Sequence, residues 1–132
     1  MAQARWYHQL PMSWIEDVAC PCCGEVKIKT KVLAALRKVG HRYGQMIYIT
    51  SAYRCPSHNA SLPGSSPTSK HMAGLALDIA PLAQETREAF VETLDKLETA
   101  CVETREIVFI KRYRTHVHID LRPGQRIWKR EV

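Results

Sequence analysis

The sequence lacks any run of about 18 apolar residues, the length that a helix needs to cross a membrane. The stretch Met1 to Leu10 also lacks the basic-then-apolar pattern of a secretory signal. We therefore expect a soluble protein, synthesised in the cytoplasm without a signal peptide or an integral membrane segment. Its 132 residues, 45% of them hydrophobic, suffice for one domain with one core over residues 1–132.

The number of cysteines is odd. Five cysteines exclude a fully paired disulfide framework within one chain, so reduced thiols are expected. Cys20, Cys22 and Cys23 are too close together to bind one tetrahedral zinc ion as a set, and no nearby His completes a finger-like pattern. Three alternatives stay open: packed thiols, a bridge from Cys20 to Cys55 in an oxidising compartment, and a structural metal site with Cys55 as the distant ligand.

The formal net charge of +6 favours an anionic partner, such as nucleic acid, a membrane surface or an anionic wall polymer. The basic residues gather in Lys27 to Arg42 and Lys111 to Arg130, without the interleaved aromatics of a nucleic-acid platform. A solvated basic face is the simplest interpretation. We expect no nucleic-acid partner.

Repeats and low-complexity tracts are absent, and Pro, Gly and Ser concentrate in Cys55 to Ser69, which predicts one long loop. Helical spacing of apolar residues predicts two amphipathic helices, Lys31 to Tyr43 with Gly44 as its C-cap, and Gln84 to Cys101. The fold class is α+β, a single domain with a mainly antiparallel sheet and flanking helices. Short β-branched runs predict the strands Met46 to Ser51, Leu75 to Ala80, Glu106 to Lys111 and Thr115 to Leu121.

The last predicted strand carries an ionisable residue at every second position. Alternation sends His116, His118 and Asp120 to one face of the sheet and the apolar residues between them to the other. Three titratable side chains in a row are costly to bury without a partner, and a metal ion is a natural one.

A second carboxylate lies in the Leu75 to Ala80 strand, where Asp78 shares a face with two alanines, which leave room around it. Seven residues earlier, His71 ends the long loop, and Gly74 lets the backbone turn so that both side chains converge. Two histidine nitrogens and a carboxylate oxygen match catalytic zinc sites, which use three protein ligands and leave one position for water. The pattern predicts a metal site at His71, Asp78 and His118.

Three motifs together resemble the M15 family of zinc D-Ala-D-Ala peptidases, in particular its short branch found in phage endolysins and bacterial murein endopeptidases. The Cys20 to Gly24 and Arg126 to Trp128 segments extend the similarity to about residues 18 to 128. The motifs are Ser51-Ala52-Tyr53-Arg54, Ser69-x-His71-x-x-Gly74-x-Ala76-x-Asp78-Ile79 and His118-Ile119-Asp120.

This resemblance implies a hedgehog/DD-peptidase-like fold and one catalytic Zn²⁺ held by the three predicted ligands. The implied activity is hydrolysis of peptide bonds in peptidoglycan stem or cross-link peptides, by a D,D-carboxypeptidase or a murein endopeptidase. It also implies substrate-binding residues at Arg54, Ser69 and Tyr53. The planar fork of arginine suits it to hold a peptide carboxylate or polarise a carbonyl.

The sequence departs from this family at one position. Well-known members carry an acidic general base three residues before the last ligand, where this chain has Thr115. His116 and Asp120 are the two candidate catalytic bases. We favour His116, because related lysostaphin-like peptidases use a His-x-His pair and histidine shuttles protons near neutral pH. Asp120 can equally orient a histidine ligand.

Two other functions explain parts of the pattern. A catalytically inactive, zinc-containing peptidoglycan-binding module accounts for the missing acid at Thr115. A small nucleic-acid-binding zinc protein accounts for the charge and the cysteines, but leaves the predicted metal ligands unexplained. We expect a monomeric enzyme of phage or prophage origin that degrades the cell wall during host lysis and reaches the periplasm by holin-dependent release.

Overall fold

The computed structural model describes residues 3–9 and 14–130, so the stretch Met1 to Leu10 lies partly outside the described residues. No helix within these two ranges is long and apolar enough to cross a membrane. A 3-10 helix at Tyr7–Gln9 precedes α1 (Trp14–Val18), α2 (Thr30–Tyr43), β1 (Ile47–Ser51), α3 (Pro56–Ser61), β2 (Ala76–Pro81), α4 (Arg87–Glu103), β3 (Phe109–Arg112), β4 (Val117–Asp120) and β5 (Ile127–Arg130).

The strands form one sheet in the order β1-β2-β4-β3-β5. Every neighbouring pair is antiparallel except β3 and β5, which run parallel. Helix α4 packs on β2, β3 and β4, and α2 packs on α4. The predicted α+β class with a mainly antiparallel sheet and flanking helices is therefore confirmed.

Both predicted amphipathic helices are present. Val32, Leu36 and Val39 of α2 are buried, and Gly44 ends the helix at φ 71° with its N–H donating to the Gly40 carbonyl. Helix α4 starts three residues after the predicted Gln84, because the Thr86 side chain accepts a hydrogen bond from the Ala89 N–H and caps the helix there.

The prediction of an unbroken loop over Cys55 to Ser69 is wrong for its first part, which forms α3. Cys55 is the N-cap of this helix and its sulfur accepts a hydrogen bond from the His58 N–H, while Pro56 takes the first helical position. Strand β5 and helix α1 were not predicted. All four residues of β5 are exposed, so the strand carries no burial pattern that a sequence could reveal.

The N-terminal segment is held to the core by a buried polar contact. Tyr7 is fully buried, and its hydroxyl donates to the Asp17 carboxylate, which also pairs with Arg5 at 2.6 Å. Burial and the Asp17 bond raise the pKa of Tyr7, so its hydroxyl stays a donor. The segment lies against α2 at Gly40, where a Cβ atom would come within 2.8 Å of the His8 backbone nitrogen.

Replacing Tyr7 with Phe removes a hydroxyl that donates to a buried carboxylate. We expect the free energy of unfolding to fall by about 1.5–3 kcal/mol, the range for hydrogen bonds to charged groups. Chemical denaturation measures this loss. Tyr48→Phe, which removes a hydroxyl from a half-buried residue of β1, is the control, and a loss there as large as in Tyr7→Phe would contradict the assignment.

Candidate metal centre

Two of the predicted ligands meet because the sheet pairs them directly. Asp78 of β2 and His118 of β4 are register partners, and opposite residues of an antiparallel pair point to the same face. His118 Nδ1 lies 2.8 Å from Asp78 Oδ1. Leu77 and Ile119, the sequence neighbours of Asp78 and His118, point to the opposite face of the sheet and are buried in the core. Strand register thus fixes two of the three predicted ligands.

His71 reaches the same point from the loop before β2, and its ring is almost fully buried. Its Nδ1 lies 2.7 Å from the Ala52 carbonyl oxygen, which only accepts, so Nδ1 carries a proton, and in the neutral ring Nε2 is the nitrogen with the lone pair. The Ser69 hydroxyl accepts a hydrogen bond from the His71 backbone N–H at 3.2 Å. Ser69 therefore orients the backbone of His71.

The turn that follows His71 depends on Gly74. Its φ is +70°, and a Cβ there would lie 2.4 Å from the Lys27 carbonyl oxygen. The Lys29 N–H donates to the Gly74 carbonyl at 2.9 Å. Only a residue without a side chain fits this approach, which presses the loop against residues 27–29 and brings His71 over β2.

The three side chains have the donor set and spacing of a metal site. One ligand atom from each of His71, Asp78 and His118 lies within 4.8 Å of the other two. His71 Nε2 is buried and makes no hydrogen bond to any described residue, although it lies 3.3 Å from Asp78 Oδ1. A buried lone pair without a partner is rare in native proteins. Two imidazoles and a carboxylate suit Zn²⁺, so the site fits this ion.

The electrostatics of the centre favour a cation. Burial raises the pKa of Asp78, but the hydrogen bond from His118 and the adjacent His71 ring outweigh it and hold that pKa well below its usual range. Burial lowers the pKa of His118, and its bonds to Asp120 and Asp78 outweigh this and raise it. His118 Nδ1 and Asp78 would both hold a bound metal ion.

Asp120 lies behind His118, on the side away from Asp78. Its Oδ2 is 2.8 Å from His118 Nε2, and Arg122 donates to both of its oxygens. Burial raises the pKa of Asp120, but Arg122 and His118 outweigh it and lower the pKa to about 2. This arrangement holds the His118 ring by its outer nitrogen and directs Nδ1 towards Asp78, as in carboxylate–histidine–metal triads.

His116 lies beside the centre, immediately before β4 begins. Its Nε2 is 3.9 Å from Asp78 Oδ2, and a quarter of its side chain is exposed. The ring stacks on Tyr113, with centroids 4.6 Å apart, and the Thr115 hydroxyl lies 2.9 Å from its Nδ1. The Thr115 hydroxyl, at the position of the missing acid, therefore contacts His116.

The ligands lie at a cavity of about 690 Å³. Arg54 lines it, with its guanidinium 3.5 Å from Asp78 Oδ2 and held by the Ser51 hydroxyl and the Asn59 amide oxygen. Tyr53 does not line this cavity: it is 3% exposed, with the Lys27 ammonium 5.7 Å from its ring centroid. The structure therefore brings every predicted site residue except Tyr53 to the cavity or directly behind its ligands.

Several lining residues were missed in the sequence. Phe109, Lys111 and Tyr113 alternate along β3 and its exit and face the cavity beside β4. The same period-two rule that selected His116 and His118 applies to them. The sequence alone does not show that they face the cavity. This follows from the β3–β4 register, in which Lys111 is the partner of His118.

Two imidazoles and a carboxylate beside a cavity are a ligand set that metal-dependent hydrolases use. The family model for Peptidase M15 matches residues 9–120. The chain belongs to this family, which confirms the resemblance seen in its motifs, and it is by family a peptidase. Among curated proteins and among solved structures, no significant match to the chain is found.

Asp120→Asn tests how the site holds His118. The amide keeps the shape of the side chain but removes the negative charge that holds His118 Nε2. The affinity of the site for zinc should therefore fall about ten- to a hundredfold. Competition with a chromophoric chelator measures the affinity. His41→Ala, an exposed histidine of α2, serves as the control. Unchanged affinity in Asp120→Asn would show that the outer contact is dispensable.

Proposed function

We propose that this protein is a zinc-dependent peptidase that hydrolyses peptide bonds in the stem or cross-link peptides of bacterial peptidoglycan. The observation that carries the proposal is the buried, unsatisfied Nε2 of His71, directed at Asp78 and His118 beside an open cavity in a chain of the M15 family. His71 Nε2, an Asp78 oxygen and His118 Nδ1 would hold the ion. When bound, zinc supplies a Lewis acid that activates water and polarises the scissile carbonyl.

Arg54 is placed to bind the substrate and stabilise developing negative charge. Two neutral partners, Ser51 and Asn59, fix its guanidinium beside Asp78 before any substrate arrives. Preorganised donors of this kind contribute to catalysis because they need no rearrangement at the moment of reaction. The fork of arginine matches a peptide carbonyl or a terminal carboxylate.

His116 is the base that the geometry favours. It is partly exposed to the cavity, close to Asp78, and oriented by Thr115 and Tyr113. From this position it can take a proton from the attacking water and pass it to the leaving amine. Asp120 is a poor base, because His118 and Arg122 already occupy both of its carboxylate oxygens. We assign Asp120 the orienting role instead.

The charge of the cavity supports an anionic peptide as substrate. Four cationic residues line it, and Asp78 is the single acidic residue among the described residues of the lining. Peptidoglycan stem peptides carry free carboxylates, which such a lining attracts. The cationic residues are Arg54, Lys70, Lys111 and Arg122.

The resemblance to short endolysins supports a phage or prophage source, with action on the cell wall during host lysis and entry to the periplasm by holin-dependent release. The alternative function is a zinc-containing peptidoglycan-binding module without catalysis, favoured by Thr115 at the position of the acidic base. Turnover distinguishes the two functions.

Purified protein incubated with peptidoglycan sacculi should release peptide fragments that mass spectrometry identifies. A chelator should abolish the release and added zinc should restore it, while His71→Ala should release nothing and His41→Ala should match the unsubstituted protein. Sacculi that are bound without release of any fragment by the zinc-loaded protein would favour the binding module.

His116→Ala should separate proton transfer from metal binding. We expect kcat to fall about a hundred- to ten-thousandfold, the usual contribution of a general acid or base, with zinc content unchanged. Fragment release and metal analysis on the same preparation measure both. A variant that keeps full activity would exclude His116 as the base.

A further inference from the structure

Three thiols outside the centre at His71, Asp78 and His118 converge on one point. The Sγ atoms of Cys20, Cys23 and Cys55 all lie within 4.8 Å of one another, although Cys55 is far away in the sequence. Cys20 and Cys23 come from the turn after α1, and Cys55 comes from the N-cap of α3. All five cysteines of the chain are free thiols in the structure. The cluster therefore joins two segments without a covalent bond.

Backbone hydrogen bonds within residues 20–25 close the turn that carries two of these thiols. The Gly24 N–H donates to the Cys20 carbonyl at 2.8 Å, and the Cys20 N–H donates to the Glu25 carbonyl at 2.8 Å. Gly24 has φ +73°, which a residue with a side chain rarely adopts. This closed turn holds Cys20 and Cys23, which have two residues between them in a Cys-x-x-Cys spacing, on the side that faces Cys55.

Backbone donors surround the sulfur atoms. The Cys55 N–H lies 3.4 Å from Cys20 Sγ, and the His58 N–H lies 3.4 Å from Cys55 Sγ. Burial raises the pKa of the Cys20 thiol, but the backbone N–H groups of Cys55, Cys23 and Cys22 outweigh it and lower the pKa to about 7. N–H donors directed at sulfur stabilise thiolate, which is the form that binds metals.

We propose that Cys20, Cys23 and Cys55 bind a second, structural zinc ion through three thiolates. The Cys-x-x-Cys spacing with a distant third cysteine is typical of structural zinc sites, and soft thiolates select zinc over magnesium or calcium. Cys22 is exposed and lies outside this set of converging thiols, so a water molecule completes the fourth position. A disulfide between Cys20 and Cys55 would leave the position of Cys23 unexplained.

This second ion would fix the segment that serves the first centre. Cys55 directly follows Arg54, whose backbone N–H donates to the His71 carbonyl at 3.3 Å. In the same segment, the Ala52 carbonyl holds the His71 ring and the Tyr53 N–H donates to the Val18 carbonyl at 3.4 Å. Zinc at the thiols would tie this segment to the turn after α1 and so position Arg54 and His71.

Metal analysis of protein purified with zinc and a reductant tests the proposal. We expect two zinc ions per chain, falling to one in Cys23→Ser and in Cys55→Ser and staying at two in Cys101→Ala. Cys101 is a buried thiol of α4 outside the cluster. Removing the second ion should also lower the melting temperature, because the metal closes the loop between the two segments.

Cobalt substitution separates this proposal from the proposed function. In Asp78→Ala, which disables the first centre, bound Co²⁺ should still give a thiolate-to-metal charge-transfer band, and Cys23→Ser should abolish that band. Histidine and carboxylate ligands cannot produce it. A zinc content that is the same in Cys23→Ser as in the unsubstituted protein, no such band in either the unsubstituted protein or Asp78→Ala, or a Cys20–Cys55 disulfide in freshly purified protein would overturn the proposal.

Discussion

The pairing of Asp78 with His118 across β2 and β4 is the contact on which the rest of the site depends. The register of the central sheet sets it, so neither side chain can leave without disrupting core residues on the opposite face. His71 is then added from the loop, held by the Ala52 carbonyl and by the close approach at Gly74. A rigid sheet therefore supplies two ligands and a glycine-dependent turn supplies the third.

The charges around this pair form a compensated network. Asp120 holds His118 from outside and is itself held by Arg122, while Arg54 lies against Asp78 on the cavity side. Buried charges without partners are strongly destabilising. Each charged side chain of this network has at least one partner of opposite charge or a hydrogen-bond partner. The exception is the lone pair of His71 Nε2, the one unsatisfied atom among the described side chains of the centre. That exception is what a metal ion would correct.

Local periodicity predicted most of the fold and the ligand set. Alternation around β4 grouped His116, His118 and Asp120 on one face, and alternation along β2 separated Asp78 from the core residues Leu77 and Ile79. It could not find β5, whose residues are all exposed, or α3, whose start depends on a cysteine cap. The sequence also could not assign the roles of Asp120 and Thr115. Distances between side chains distinguish an orienting group from a base, and spacing along the sequence does not give those distances.

Zinc-edge anomalous diffraction from crystals of the zinc-loaded protein tests the central claim most directly. We expect an anomalous peak roughly 2.0–2.2 Å from His71 Nε2, an Asp78 carboxylate oxygen and His118 Nδ1. The choice of Nδ1 over Nε2 of His118 is specific to an arrangement in which Asp120 holds the outer nitrogen. The absence of any peak in contact with these three atoms, or a zinc ion bound through His118 Nε2, would contradict it.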